Sequence, residues 1–97
     1  MTPEVSADQM SENIIKVSAR SSAAAVAGAI AGQIRENGKA SVSVIGPSAL
    51  NQAVKAVIIA RGYLVLEGKE IVMIPSFKPT EINGDQRTAI GIEVEIR

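Results

Sequence analysis

The chain has 97 residues, with ten basic and ten acidic side chains, no cysteine and no histidine. That length holds one small domain and excludes an extended multidomain enzyme, and the missing residue types exclude disulfides, thiol nucleophiles, zinc-finger spacing and imidazole acid-base chemistry. Apolar residues make up 46% and aromatics only 2%, so the core is expected to come from Ala, Val, Ile and Leu, with Phe77 and Tyr63 as the only rings.

Residues 1–13, MTPEVSADQMSEN, are polar and lack a sustained period, which predicts a mobile acidic arm ahead of a folded domain over 14–97. Glu4, Asp8 and Glu12 carry no base among them, so the rest of the chain is net positive although the whole is neutral. NIIKVS, from Asn13 to Ser18, is short and β-branched and reads as a strand. SARSS punctuates it. From Ser22, SAAAVAGAIAGQIRENG places Val26, Ile30 and Ile34 at helical spacing and stops at Asn37-Gly38. Gly28 and Gly32 make a GxxxG spacing, read here as a helix lying close on a sheet and not as a dimerisation or cofactor motif.

ASVSVIG alternates Val42 and Val44 with Ser41 and Ser43, the pattern of a half-buried strand. GPSALNQAVKAVIIARG then begins a second helix with Pro47 in its first turn and is expected to end at Gly62. Its apolar side is Leu50, Ala53, Val54, Val57 and Ile58; its polar side is Ser48, Asn51, Gln52 and Lys55. After a turn at Glu67–Lys69, EIVMIP reads as a third strand and TAIGIEVEIR as a fourth. Between them SFKPTEINGDQR reads as a hairpin arm around Asn83-Gly84. The order is βαβαββ, an α/β two-layer sandwich with a four-stranded mixed sheet and two helices on one face.

In that fold both strand-to-helix turns emerge at one edge, where helix starts present unpaired N–H groups and the positive end of the dipole. Arg20, Ser21, Ser22, Gly46, Ser48 and Asn51 would converge there, a set suited to phosphate oxygens; the plainer reading makes Ser21 or Ser22 an N-cap and Gly46-Pro47 a turn. Lys55 extends the polar side of the second helix. Lys78 and Arg87 flank the arm's turn and could enter a groove, with Glu81 and Asp85 between them. Phe77 is expected in the core. Neither GxxxxGK[ST] nor GxGxxG occurs, and Glu93 and Glu95 share an outward strand face as solvated charges. No enzyme, metal or cofactor is expected. No apolar stretch reaches the roughly 20 residues of a bilayer span, and no secretory leader pattern opens the chain, so a cytoplasmic protein without membrane contact is expected.

The segments KVSARSSAAAVAGAIAG, IGPSALNQAVKAVIIARGY and IPSFKPTEINGDQRTAIGIEVE, with the late QRTAI at Gln86–Ile90, resemble the stage V sporulation protein S family of bacteria. That family is similar to the Alba proteins. The resemblance implies an Alba-like domain and a homodimer that binds DNA or RNA through the first strand-to-helix loop, the start of the second helix and the hairpin arms. Carried to this chain, it implies contacts at Arg20, at Ser48 and Asn51, and at Lys78 and Arg87. A single Arg20 stands in the first loop, where archaeal Alba proteins often have a basic pair, and Gly46-Pro47-Ser48 is uncharged. The expected function is that of a non-enzymatic nucleic-acid-binding regulator of sporulation or development, holding the phosphate backbone. The alternative is a protein-interaction adaptor whose dimer or sheet face binds a protein partner. The oligomeric interface is expected among exposed apolar residues, Tyr63, Leu64 and Val65 together with the last strands.

Overall fold

The computed structural model describes residues 13–97, so the arm expected over 1–13 lies outside the described residues except for Asn13. The elements are β1 (Ile14–Val17), α1 (Ala23–Asn37), β2 (Lys39–Val44), α2 (Pro47–Val65), β3 (Ile71–Ile82) and β4 (Asp85–Ile96). The four strands form one sheet in the order β1-β2-β4-β3. β1 runs parallel to β2, from Ile14 opposite Ser41 to Val17 opposite Val44. β4 is antiparallel to both of its neighbours.

Period-2 alternation decides the faces. Ala40, Val42 and Val44 of β2 and Ile92 and Val94 of β4 are buried in one core with α1 and α2. Lys39, Ser41, Ser43, Gly91, Glu93 and Glu95 therefore face the opposite, open side. There Ser41 Oγ donates to Glu93 Oε2 at 2.7 Å. α1 and α2 lie against each other on the inner face.

Small side chains set the helix layer. Ala27 and Ala31 of α1 and Ala53, Ala56 and Ala60 of α2 are all fully buried, while Ile30, Ile34 and Leu64 supply the bulk. Neither ring joins them. Phe77 is 79% exposed and Tyr63 44%, so the core is wholly aliphatic and the expectation of Phe77 in the core is corrected. The cause is topological: the helices cover β1, β2 and β4, and β3 beyond Met73 passes out from under them. Gly28 and Gly32 also depart from expectation, because a Cβ at either would meet nothing within 4 Å. The close approach is made by the alanines. Ile58, expected on the apolar side of α2, is 64% exposed, whereas Leu64, expected on an interaction surface, is fully buried.

α2 runs through Gly62 to Val65, three residues beyond the expected stop, because burying Leu64 favours one more turn. β3 likewise continues through SFKPTEI to Ile82, beyond the expected strand EIVMIP and through Pro79. Asn83 (φ 52°) and Gly84 (φ 85°) form the two-residue turn, the twist that tight hairpins prefer. A two-residue turn makes Ile82 and Asp85 a hydrogen-bonded pair, and bonding then alternates back along the strand. Thr80, Lys78 and Ser76 bond to β4, while Pro79 and Pro75, opposite Thr88 and Ile92, turn their nitrogens to the outer edge. β3 is an edge strand, where proline is tolerated and blocks further strand addition.

A contrasting pair of substitutions tests where the close packing lies. Gly28→Ala is expected to raise stability by about 0.5–1 kcal/mol, since it adds helix propensity in open space. Ala56→Leu is expected to lower it by about 1–3 kcal/mol through overpacking. Urea unfolding midpoints measure both.

Candidate nucleic-acid interface

The parallel β1–β2 pair sends both strand-to-helix turns out at one end of the sheet. Five residue pairs of the hairpin, Lys78 opposite Ala89 to Ile82 opposite Asp85, continue past the last β2 pairing, Val44 opposite Ile90, at that same end. At about 3.3 Å per residue they form an arm on the order of 16 Å long.

The loop from Ser18 to Ser22 is held by its own hydroxyls. Ser21 Oγ accepts from the Ser18 amide at 2.9 Å, Ser18 Oγ accepts from the Arg20 amide at 3.2 Å, and the Ser21 amide donates to the Ser18 carbonyl at 3.1 Å. Ser22 is the N-cap of α1, its Oγ accepting from the Ala25 amide at 3.2 Å. These serines shape the loop. Arg20 projects from it exposed, with no carboxylate partner among the described residues.

α2 starts differently. Its N-cap is Gly46 (φ 92°), which has no side chain with which to cap, and Pro47 follows. Among the described residues the first-turn N–H groups of Ser48 and Ala49 therefore have no side-chain acceptor, which leaves the positive end of the dipole uncapped by them. Ser48, Asn51 and Lys55 are exposed on this helix. Gln52, between them, joins the two helix starts: its Nε2 donates to the Ser21 carbonyl at 2.8 Å, while its Oε1 accepts from Lys55 Nζ at 3.2 Å. The sequence pattern puts Gln52 on the polar side and gives it no role, since nothing in its spacing reports a bond to a residue 31 positions away.

The arm's bases lie elsewhere. Lys78 and Arg87, opposite Ala89 and Thr80, belong to the open face of the sheet, together with Lys16 of β1. The methylene stem of Lys78 crosses Gly91, where a Cβ would come within 2.7 Å of Lys78 Cε and 2.9 Å of its Cγ and Cδ. Gly91 is thus the seat that lets Lys78 lie flat on the open face. The predicted residues form two groups at one end of the molecule: Arg20, Ser21, Ser22, Ser48, Asn51 and Lys55 around the helix starts, and Lys78 and Arg87 on the arm.

Charge is segregated along the molecule. At the opposite end Arg35 Nη2 binds Glu67 Oε2 at 2.7 Å, Arg61 Nε binds Glu70 Oε2 at 2.8 Å, and Lys69 Nζ lies 3.8 Å from Glu67 Oε1. Hydrogen bonds from Arg35 and Arg61 hold the Glu67 and Glu70 carboxyls below their usual range, so these pairs stay charged and mutually neutralised at neutral pH. That end and the middle of the sheet carry five bases, Arg35, Lys39, Arg61, Lys69 and Arg97, against five acids, Glu36, Glu67, Glu70, Glu93 and Glu95. The helix starts and the arm carry Lys16, Arg20, Lys55, Lys78 and Arg87 against Glu81 and Asp85 alone. The whole positive surplus of the described residues therefore sits at one end, on side chains free of carboxylate partners among those residues.

Residues 13–97 match the family described as Stage V sporulation protein S (SpoVS). Among solved structures the chain is similar to Alba from Thermoplasma volcanium, with a TM-score of 0.55 and 17% identity, over 87% of this chain and 98% of that one. The likeness is one of fold, and the βαβαββ order and mixed four-stranded sheet are Alba-like. No described helix is long and apolar enough to cross a membrane.

Removing the Gln52 tether is expected to loosen the first loop without unfolding the domain. In Gln52→Ala, amide hydrogen exchange at Ser21–Ala25 should accelerate several-fold while β4 amides stay at wild-type rates.

Proposed function

The chain belongs to the stage V sporulation protein S family, and from that premise we propose that it is a non-enzymatic regulator that binds nucleic acid and acts in sporulation or a related developmental programme. The observation that carries the binding reading is the segregation of charge: among the described residues, five bases without a carboxylate partner stand against two acids at the end where both helices begin. A polyanion is drawn to such an end and not to the other, where Arg35 and Arg61 are already engaged.

Binding would be by phosphate positioning. Arg20 and Lys55 supply charge, Ser48, Asn51 and the open first turn of α2 supply N–H and hydroxyl donors, and Lys78 and Arg87 reach along the arm. Ser21 and Ser22 hold the loop that aims Arg20. With so few bases, affinity is modest and strongly salt-dependent, and base identity is read little.

A homodimer completes this reading. Pro75, Ser76, Phe77 and Ile90 line a shallow apolar hollow on the part of β3 that the helices leave uncovered, and Phe77 at 79% exposure is the largest apolar group in it. Pairing two copies there would remove that surface from water and set two arms to span one duplex. The adaptor reading draws on the same hollow, with another protein in place of the second copy.

Two measurements test these statements. By fluorescence anisotropy of a labelled duplex across a salt series, Arg20→Gln with Arg87→Gln should weaken binding at least tenfold at low salt. The slope of log affinity against log salt should flatten by roughly 0.9 for each phosphate the variant no longer neutralises; an unchanged slope in the folded variant contradicts the phosphate role. By sedimentation equilibrium, the wild-type protein should be a dimer and Phe77→Asp a folded monomer.

A further inference from the structure

Nineteen apolar residues are buried in the described domain, and all but one belong to the core cluster between sheet and helices. The exception is Ala89, 1% exposed and on the open face. It is covered because the arm overhangs the ends of β1 and β2: Thr80, Glu81 and Ile82 of the arm line one cleft with Lys16–Ala19, Ser43–Ile45 and Ala89. The cleft has a volume of about 380 Å³, near the small end of the roughly 300–1,000 Å³ typical of ligand pockets. It lies outside the carboxyl ends of two parallel strands, the position where open α/β sheets receive ligands.

Its chemistry is two-sided. Ile45 and Ile82 give apolar walls above the covered Ala89, while Ser18, Thr80, Glu81 and Lys16 set donors and acceptors around them. A planar heterocycle with apolar faces and a polar edge matches that arrangement. Charge chooses the kind of molecule that carries it: Lys16 and Arg87 share the open face with the cleft, Lys78 is laid across Gly91 beside Ala89, and Arg20 follows directly on the loop. Glu81 is the single acid lining the cleft among the described residues.

We infer that this cleft receives one unstacked base of a single-stranded nucleic acid whose flanking phosphates are held by Arg20 on one side and by Lys78 and Arg87 on the other. The inference rests on the nucleic-acid reading above and narrows it, because a base paired inside a duplex cannot turn its face into a pocket of this size. The protein then has two modes: duplexes bind through phosphates alone, and single strands gain one base contact in addition. The preference among bases is weak, since apolar walls accept any π-face.

The test uses the full chain and three labelled probes of equal length: a single strand, the same strand with abasic sites along its centre, and a duplex. Wild-type protein is expected to bind the intact strand about tenfold tighter than the abasic strand. Ala89→Leu, which fills the cleft floor, should erase that difference and leave the duplex dissociation constant within about twofold. The abasic comparison needs no variant, so it stands even where Ala89→Leu fails to fold. Equal binding of intact and abasic strands by the wild type overturns the base pocket while leaving the phosphate reading intact, and so does a difference that persists in folded Ala89→Leu. Absence of binding to all three probes at low salt overturns the nucleic-acid reading itself.

Discussion

Parallel pairing of β1 with β2 is the constraint from which the rest of this molecule follows. Two parallel strands require a crossover, here α1, and every strand-to-helix turn must then leave the sheet at the same end. Once α2 has repeated the excursion, two helix starts stand side by side. Antiparallel β4 enters beside β2 with its N-terminal part extending past the end of that strand, so the hairpin arm is delivered to that end as well. Alanine at 27, 31, 53, 56 and 60 allows the two helices to lie together over so narrow a sheet.

The same geometry sorts the charges. Helix C-termini and the α2–β3 turn gather at the other end, where Arg35 and Arg61 meet Glu67 and Glu70. Exposed pairs of this kind contribute little to stability. Their larger consequence is electrostatic: they neutralise one end and leave the surplus at the other. Within the basic end there is a further division of labour. Ser18, Ser21, Ser22 and Gln52 use their hydrogen bonds to fix the loop, whereas the side chains of Arg20, Ser48 and Asn51 have no side-chain partner among the described residues. Gly91, on a different strand, does for Lys78 what the serines do for Arg20.

Much of this is legible in the sequence, and for identifiable reasons. Ser22 and Gly38 bound α1 as cap residues should, Val42 and Val44 alternate with serines as a strand with one wet face should, and Asn83-Gly84 marks the hairpin turn. The departures share a cause as well. Pro79 reads as part of the arm and not of the third strand because local propensity cannot show that β3 is an edge; Phe77 looks like a core residue because hydrophobicity cannot show that the helices stop short of it. Gly28 and Gly32 suggest a packing role that the neighbouring alanines perform. At the site, the convergence of Arg20 with Ser48 and Asn51 follows from topology. The Gln52 tether, the seat at Gly91 and the cleft under the arm depend on distant segments meeting, which no spacing along the chain records.

Charge segregation makes a spatial claim that amide chemical shifts test directly. Isotope-labelled protein titrated with a short nucleic acid at low salt should shift the amides of Arg20–Ser22, Ser48–Lys55 and the arm from Lys78 to Arg87, while Arg35, Arg61 and Glu67–Glu70 stay still. Shifts concentrated at the paired end, or an unchanged spectrum at saturating probe, would contradict a nucleic-acid surface built where the helices begin.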